Sequence, residues 1–402
     1  MSFDELHLHD DKKFWHARIA DETLWVRSGK LGSQGRERSV KPSSAEGKRG
    51  NLRAELRGRA WKQIRKGYRY DPQDDQRGPL RWIVPAPDFM AIGARGLSAC
   101  RDGSYAVFEQ HSNGKGSRVY RLDLETGERR LAWEGSSFLL RGVWALDADT
   151  VLYTPETREG WNTCELDLNG GGSRLLASGK YSMLGTILGA DAKGERVLAA
   201  VDEQEFAVLD RASGRELLRG PVPPTKHNQG RACALSPDGS LVVMAAPPAS
   251  DALEQERSRI TIYEVDSGDT RSIETSQNLP FDALVWLGSD RLALLERFSE
   301  AQIWQVRPTL EPGRRLSLDE EQLGFYMRPA ALAASANGRY VALYDGAGAL
   351  AVLDADSGEH VFAGEHRLFG QRGAVEFASG GVIVTSGGGM LGRWDTGLKT
   401  ES

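Results

Sequence analysis

The sequence predicts a mainly β fold in which a small α+β unit precedes a ring of seven repeats. Three observations predict it. The first is a returning phrase, clearest at Leu235-Ser236-Pro237-Asp238-Gly239-Ser240-Leu241-Val242-Val243. It recurs at Cys100-Arg101-Asp102-Gly103-Ser104-Tyr105-Ala106-Val107 and at Ala334-Ser335-Ala336-Asn337-Gly338-Arg339-Tyr340-Val341. Asp-Gly and Asn-Gly suit hairpin turns, where both central residues can take positive φ. Weaker copies turn at Asp149, Gly194, Asp290 and Gly381, and from Gly103 the steps are 46, 45, 45, 51, 48 and 43 residues. The second observation is a strand ending shared by the units, as in Tyr120-Arg121-Leu122-Asp123, Val208-Leu209-Asp210 and Val352-Leu353-Asp354. The third is that residues from Leu80 onward read as short apolar strands with frequent turn signals and no helical stretch. A period of this size without helices fits the four-stranded blades of a β-propeller.

In chain order, residues 1–72 come first. Phe14-Trp15-His16-Ala17-Arg18-Ile19 and Leu24-Trp25-Val26-Arg27 read as strands joined at Asp21-Glu22. Gly29, Gly32 and Gly35 punctuate a basic hairpin, and Arg38-Ser39-Val40-Lys41 continues it. Pro42-Ser43-Ser44-Ala45-Glu46 starts a helix, with Ser43 and Glu46 spaced as a capping box. Ala45, Leu52, Leu56, Ala60 and Ile64 recur at helical spacing, so one face packs on the strands. Gly67 is a natural stop. His7-Leu8-His9 puts two imidazoles on one strand face but lacks a third ligand, so a frayed, solvated terminus is expected rather than a metal site.

Val26-Arg27-Ser28-Gly29-Lys30-Leu31-Gly32-Ser33-Gln34-Gly35-Arg36, the helix and Lys66-Gly67-Tyr68 together resemble a WGR domain over residues 12–70. That family is named for a Trp-Gly-Arg triplet. It occurs in DNA-dependent poly(ADP-ribose) polymerases and as a module in bacterial proteins, as a small sheet with one helix that contacts nucleic acid. The resemblance implies that fold, a nucleic-acid partner and a bacterial setting. The triplet itself departs: Ser28, Gly29 and Lys30 stand in its place, so aromatic stacking is lost and Lys30 keeps a point charge without a bidentate fork.

Residues 73–79 read as a linker, within an Asp71–Pro79 stretch that has two prolines and no apolar residue. Residues 80–402 then form the seven-bladed propeller. The last unit has only three strands, and Leu80-Arg81-Trp82-Ile83-Val84 precedes the first unit, so a strand over 80–86 is expected to complete the last blade and close the ring. The units resemble WD-type repeats, including Trp394-Asp395, although the Gly-His pair of that family is absent. The rhythm breaks at residues 245–258, where Asp251, Glu254, Glu256 and Arg257 mark a candidate partner-binding loop.

Charge divides the chain. Its net charge is −5, yet residues 1–70 hold 17 Lys and Arg against 9 Asp and Glu. Between Arg27 and Arg69 there are 14 basic and 3 acidic residues. A clustered basic stripe is the electrostatic footprint of a phosphate partner. Arg27, Lys30, Arg36, Arg38 and Lys41 on or beside the hairpin are the candidate contacts, with the glycines admitting a phosphate backbone closely.

No cofactor, metal or catalytic residue is expected. Gly387-Gly388-Gly389-Met390-Leu391-Gly392 matches a dinucleotide-binding string, and Gly346-Ala347-Gly348-Ala349-Leu350-Ala351 nearly does, but neither is followed by the required helix. No Gly-x-Ser-x-Gly elbow occurs. Three spaced cysteines, Cys100, Cys164 and Cys233, fit neither a disulfide framework nor zinc and point to a reducing cytoplasm. No run of 18 apolar residues and no secretory leader are present, so no membrane association is expected. The sequence thus predicts a non-enzymatic cytoplasmic adaptor. Its propeller docks a protein and its basic module meets nucleic-acid phosphates. The alternatives are an N-terminal module used for protein docking or self-association, and a hydrolase or lyase with a site in the propeller channel.

Overall fold

The computed structural model describes residues 4–40, 48–70, 79–86, 96–112, 116–136, 140–180, 187–201, 204–223, 232–247, 257–275, 281–296, 300–323, 327–366, 373–387 and 389–400. The Ser43–Glu46 capping box and most of the 73–79 linker lie outside them.

The N-terminal segment begins with β1 (Glu5–His9), β2 (Lys13–Ala20), β3 (Thr23–Lys30) and β4 (Arg36–Val40), followed by α1 (Lys48–Ile64), β5 (Arg69–Tyr70) and β6 (Leu80–Pro85). The β2–β3 turn is tight because Asp21 and Glu22 both take positive φ, 49° and 54°. That fixes the register: Lys13 faces Lys30, Trp15 faces Ser28 and Ala17 faces Val26. α1 presents Leu52, Leu56, Ala60 and Ile64, four apart, to the sheet, and all four are buried. It ends where Gly67, at φ 98°, donates its N–H to the Ile64 carbonyl. β1 is not a frayed terminus. It pairs with β2 and β5, and Leu6 and Leu8 are fully buried, since alternate residues of a strand share one face.

Six four-stranded sheets follow, over residues 97–135, 140–180, 188–221, 232–274, 281–316 and 331–365. They are numbered here as blades one to six. Each inner strand touches the inner strand of the next blade. A four-residue helix, Glu320–Leu323, interrupts the otherwise all-β succession between blades five and six. The expectation of seven separate four-stranded blades needs correction, because the last unit is not a separate sheet. Its strands Val375–Phe377, Val382–Gly387 and Met390–Asp395 pair onward to β6, β6 pairs with β5, and the sheet continues through β1, β2 and β3 to β4. The result is one sheet of nine strands.

The N-terminal segment is therefore not the self-contained α+β unit that its sequence predicts. One apolar cluster holds Leu6, Leu8, Trp15, Val26, Leu56 and Ile64 together with Ile83, Tyr344, Leu350 and Trp394. Two backbone hydrogen-bond partners for β6, one on each side, merge the sheets. The shared core removes the boundary.

The repeated turn also differs from expectation. Only the glycine of each copy is left-handed, at φ 72°, 72° and 66° for Gly103, Gly239 and Gly338. The preceding Asp102, Asp238 and Asn337 instead accept the backbone N–H two residues on, at 2.9, 3.1 and 3.1 Å. A side-chain acceptor closes the turn without a second strained residue.

Candidate nucleic-acid interface

β3 and β4 form the free end of the nine-stranded sheet. Leu24 and Val26 face the α1 side and are buried. Register then assigns the cations. Arg38 lies opposite Val26, Arg36 opposite Ser28, and Lys30 two residues beyond Ser28, so Lys30, Arg36 and Arg38 share one face. All three side chains are exposed. Among the described residues, none of the three makes an ion pair. Arg36 and Arg38 do point the same way, as their spacing predicts.

Arg27 falls on the opposite face, across from Glu37. Its Nε donates to the Gln34 carbonyl at 2.5 Å, and its guanidinium lies 5.9 Å from the Phe14 ring centroid. Arg27 thus braces the hairpin. Lys41 lies outside the described residues, as do Asp251, Glu254 and Glu256 of the candidate partner loop. Arg257 is described and exposed.

The glycines have a structural task. A Cβ on Gly29 would sit 2.7 Å from the Gly35 Cα, and one on Gly35 would sit 2.5 Å from Phe14 Cζ. The hairpin folds back over Phe14, and no side chain fits at the crossing. Only Gly32, at φ 78° with nothing within 4 Å, lies at an open tip. Gly29 and Gly35 are thus required by packing within the hairpin.

Sequence reasoning missed Lys13. Paired directly with Lys30, it is exposed and adds a fourth positive charge to the same face. Like charges opposite one another destabilise a sheet unless something anionic offsets them. The signal was present: a two-residue turn at Asp21-Glu22 pairs residues 13 and 30.

The opposite face carries imidazoles. The His7 and His16 rings meet at a tilt of 42° with centroids 4.0 Å apart, and His7 lies 2.9 Å from Glu5. Burial, helped by the neighbouring His7 and Arg27, lowers the His16 pKa to about 4, so His16 is neutral at neutral pH. Among the described residues no group of three or more His, Cys, Asp or Glu is placed to hold a metal.

Ionisable groups near the ring centre are scattered. Burial raises Glu376 on the last inner strand to about 8, raises Glu296 in blade five against the pull of Arg315, and raises the Cys233 thiol in blade four. No hydrogen bond joins these three among the described residues. Both Gly-rich strings are hairpin connections between paired strands, Tyr340–Tyr344 to Ala349–Asp354 and Val382–Gly387 to Met390–Asp395. No helix among the described residues is long and apolar enough to cross a membrane.

No family model and no curated protein matches the chain. The resemblance of residues 12–70 to the WGR family therefore rests on its motif alone. Among solved structures, the chain is similar to the β-propeller domain of Cps50 (Swd1) from Myceliophteria thermophila. The TM-score is 0.52 at 15% identity, covering 77% of this chain and 99% of that one. At that identity the likeness shows the fold alone, and the fold is a β-propeller.

Proposed function

We propose that this protein is a non-enzymatic adaptor whose propeller docks a protein partner while Lys30, Arg36 and Arg38 hold nucleic-acid phosphates. The observation that carries the reading is the set of exposed cations on one sheet face that make no ion pair among the described residues, unlike the arginines that bridge the blades. The WGR-like glycine spacing supports it, and so does the excess of basic residues in this segment. A ring of seven sectors is part of the proposal. It is supported by the inner strand Val375–Phe377 touching the inner strands of both blade six and blade one. The partner-docking role draws on the propeller fold, which presents loops on a rigid scaffold.

With Ser28 where an aromatic would stack, phosphate charge supplies the affinity. Binding should tolerate any sequence and fall steeply with salt. Three neutralised phosphates on duplex DNA give a slope of about −2.7 in log K against log salt. The test is a salt titration of the full chain on intact, nicked and single-stranded DNA, repeated with Lys30→Ala, Arg36→Ala and Arg38→Ala combined. Loss of the slope in the triple variant supports the reading. If micromolar protein binds none of the three DNAs at low salt, the reading fails. Concentration-dependent dimerisation in that case would favour self-association through β4, the end strand of the sheet.

A further inference from the structure

The positive charge of the β3–β4 hairpin continues onto a third strand. β2 and β3 pair without a break from their turn at Asp21-Glu22, and the outermost pair sets Lys13 directly opposite Lys30. Residues directly opposite on antiparallel strands share a face, with Cβ atoms about 4.5–5.5 Å apart. Four cations therefore cross three strands: Lys13 on β2, Lys30 on β3, and Arg36 and Arg38 on β4. All four are exposed. With about 4.8 Å between strands and about 3.4 Å per residue along them, the Cα atoms of Lys13 and Arg38 lie about 17 Å apart.

Ser28 sits in the middle of this row. It is opposite Arg36 and two residues from Lys30, so it shares their face, and it is exposed. Its other neighbour, Trp15 on β2, is 4% exposed. The accessible route from β3 onto β2 therefore runs through Lys13.

None of the four cations makes an ion pair among the described residues. Asp10 lies nearby in the β1–β2 turn, where its Oδ1 accepts the backbone N–H groups of Lys12 and Lys13 at 2.8 and 2.6 Å. The Lys12 N–H lowers the Asp10 pKa most, and the charge of Lys13 adds to that. One carboxylate at the end of the row leaves a surplus of positive charge along it. Like charges directly opposite in a sheet are destabilising, and an anion bridging Lys13 and Lys30 offsets that cost.

We infer that Lys13 is a fourth phosphate contact, and that a nucleic-acid backbone crosses the sheet obliquely from Arg38 and Arg36 past Ser28 and Lys30 to Lys13. The inference rests on the phosphate reading of Lys30, Arg36 and Arg38 and extends it from the hairpin to three strands. A span of about 17 Å equals about five steps of one B-DNA strand at 3.4 Å each. The ligand is thus a continuous stretch of one backbone, from a single strand or from one strand of a duplex. The Ser28 hydroxyl is placed to donate to a phosphate oxygen midway along it. The fourth contact takes the expected duplex slope from about −2.7 to about −3.6.

The experiment is a salt titration of the full chain on duplex DNA and, separately, on a single strand. Wild type is compared with Lys13→Ala and with Lys12→Ala, which removes the same charge from the exposed residue just before β2. Lys13→Ala should flatten the slope by about 0.9 on duplex and about 0.7 on a single strand, and Lys12→Ala should leave it unchanged. Lys13→Glu can pair with Lys30 across the strands, so it should weaken binding further while melting no lower than wild type. That separates a lost contact from a lost fold. Flattening by Lys13→Ala alone supports the crossing path. Seen on both DNAs it assigns any backbone, and seen on one it assigns that form. An unchanged slope in Lys13→Ala, with the slope lost in the Lys30, Arg36 and Arg38 triple variant, overturns the inference and leaves the hairpin reading standing. Equal flattening by Lys12→Ala and Lys13→Ala also overturns it. Failure of the wild type to bind either DNA removes both readings.

Discussion

The arginines of the ring and the cations of the sheet edge carry the same charge but are used differently. In the ring they bridge neighbouring blades. Arg211 of blade three grips Glu165 of blade two at 2.9 and 3.2 Å, Arg196 of blade three meets Asp266 of blade four at 3.0 Å, and Arg307 of blade five meets Asp238 of blade four at 2.9 Å. Arg291 of blade five reaches Asp356 of blade six at 2.5 Å, and Arg393 of the last sheet reaches Glu125 of blade one at 2.7 Å. At the far end of the nine-stranded sheet, Lys30, Arg36 and Arg38 make no such pair among the described residues. These ring arginines are paired inside the molecule, whereas the edge cations make no ion pair among the described residues. The difference separates cations that hold the fold from cations that, under the proposed function, meet a ligand.

The largest effect expected from this contrast lies beneath the charges. Trp394 is 1% exposed, stacks on His366 at 5.4 Å and donates to Thr385 at 3.2 Å. It belongs to the cluster shared by the propeller and the N-terminal sheet. Trp394→Ala should cost about 3–5 kcal/mol in chemical denaturation. It should also melt both regions in one transition. Two separate transitions would mean that the shared core does not couple them.

A middle-sized effect belongs to the blade bridges. Arg211→Ala should cost about 1–2 kcal/mol, because Glu165 is left with fewer charged hydrogen bonds while mostly covered. Burial raises the Glu165 pKa, but the hydrogen bonds from Arg211 and Arg174 outweigh it, and the net shift is downward. A carboxyl with a depressed folded-state pKa contributes stability above its unfolded value, near 4.5 for glutamate, and loses it as pH falls through the lower folded value. The wild type should therefore lose stability on acidification below that point, and Arg211→Ala should lose less. Parallel pH profiles would show that the bridge is not the cause.

The smallest effect on stability should come from the edge. Removing Lys30, Arg36 and Arg38 should change the unfolding free energy by no more than about 0.5 kcal/mol per site. Relief of the Lys13–Lys30 opposition could make the sum slightly favourable. A drop comparable to that of Arg211→Ala would show these cations to be structural, which would erase the comparison.

Much of this arrangement was legible in the residues. The Asp-Gly and Asn-Gly phrases marked strand turns because a short side-chain acceptor followed by glycine closes a turn locally. The helix from Leu52 to Ile64 was legible from apolar spacing, and the β2–β3 register from the Asp21-Glu22 turn. These are properties of a few consecutive residues. Two features needed distant residues to be seen. Gly29 and Gly35 lie where the hairpin crosses over Phe14, and the hairpin register puts Arg27 on the face opposite Arg36 and Arg38.

What the sequence determined by itself was the period, the strand-and-turn grammar and the surplus of positive charge near the beginning of the chain. These follow from local propensity and composition. Only the tertiary structure decided that the last repeat and the N-terminal strands are one sheet. It alone put Lys30, Arg36 and Arg38 on one face, with no ion pair among the described residues. Strand pairing and charge pairing join residues hundreds of positions apart, as Arg81 with Asp395 shows. Which edge meets which is settled by burial of a common core around Trp394, and no local pattern encodes that.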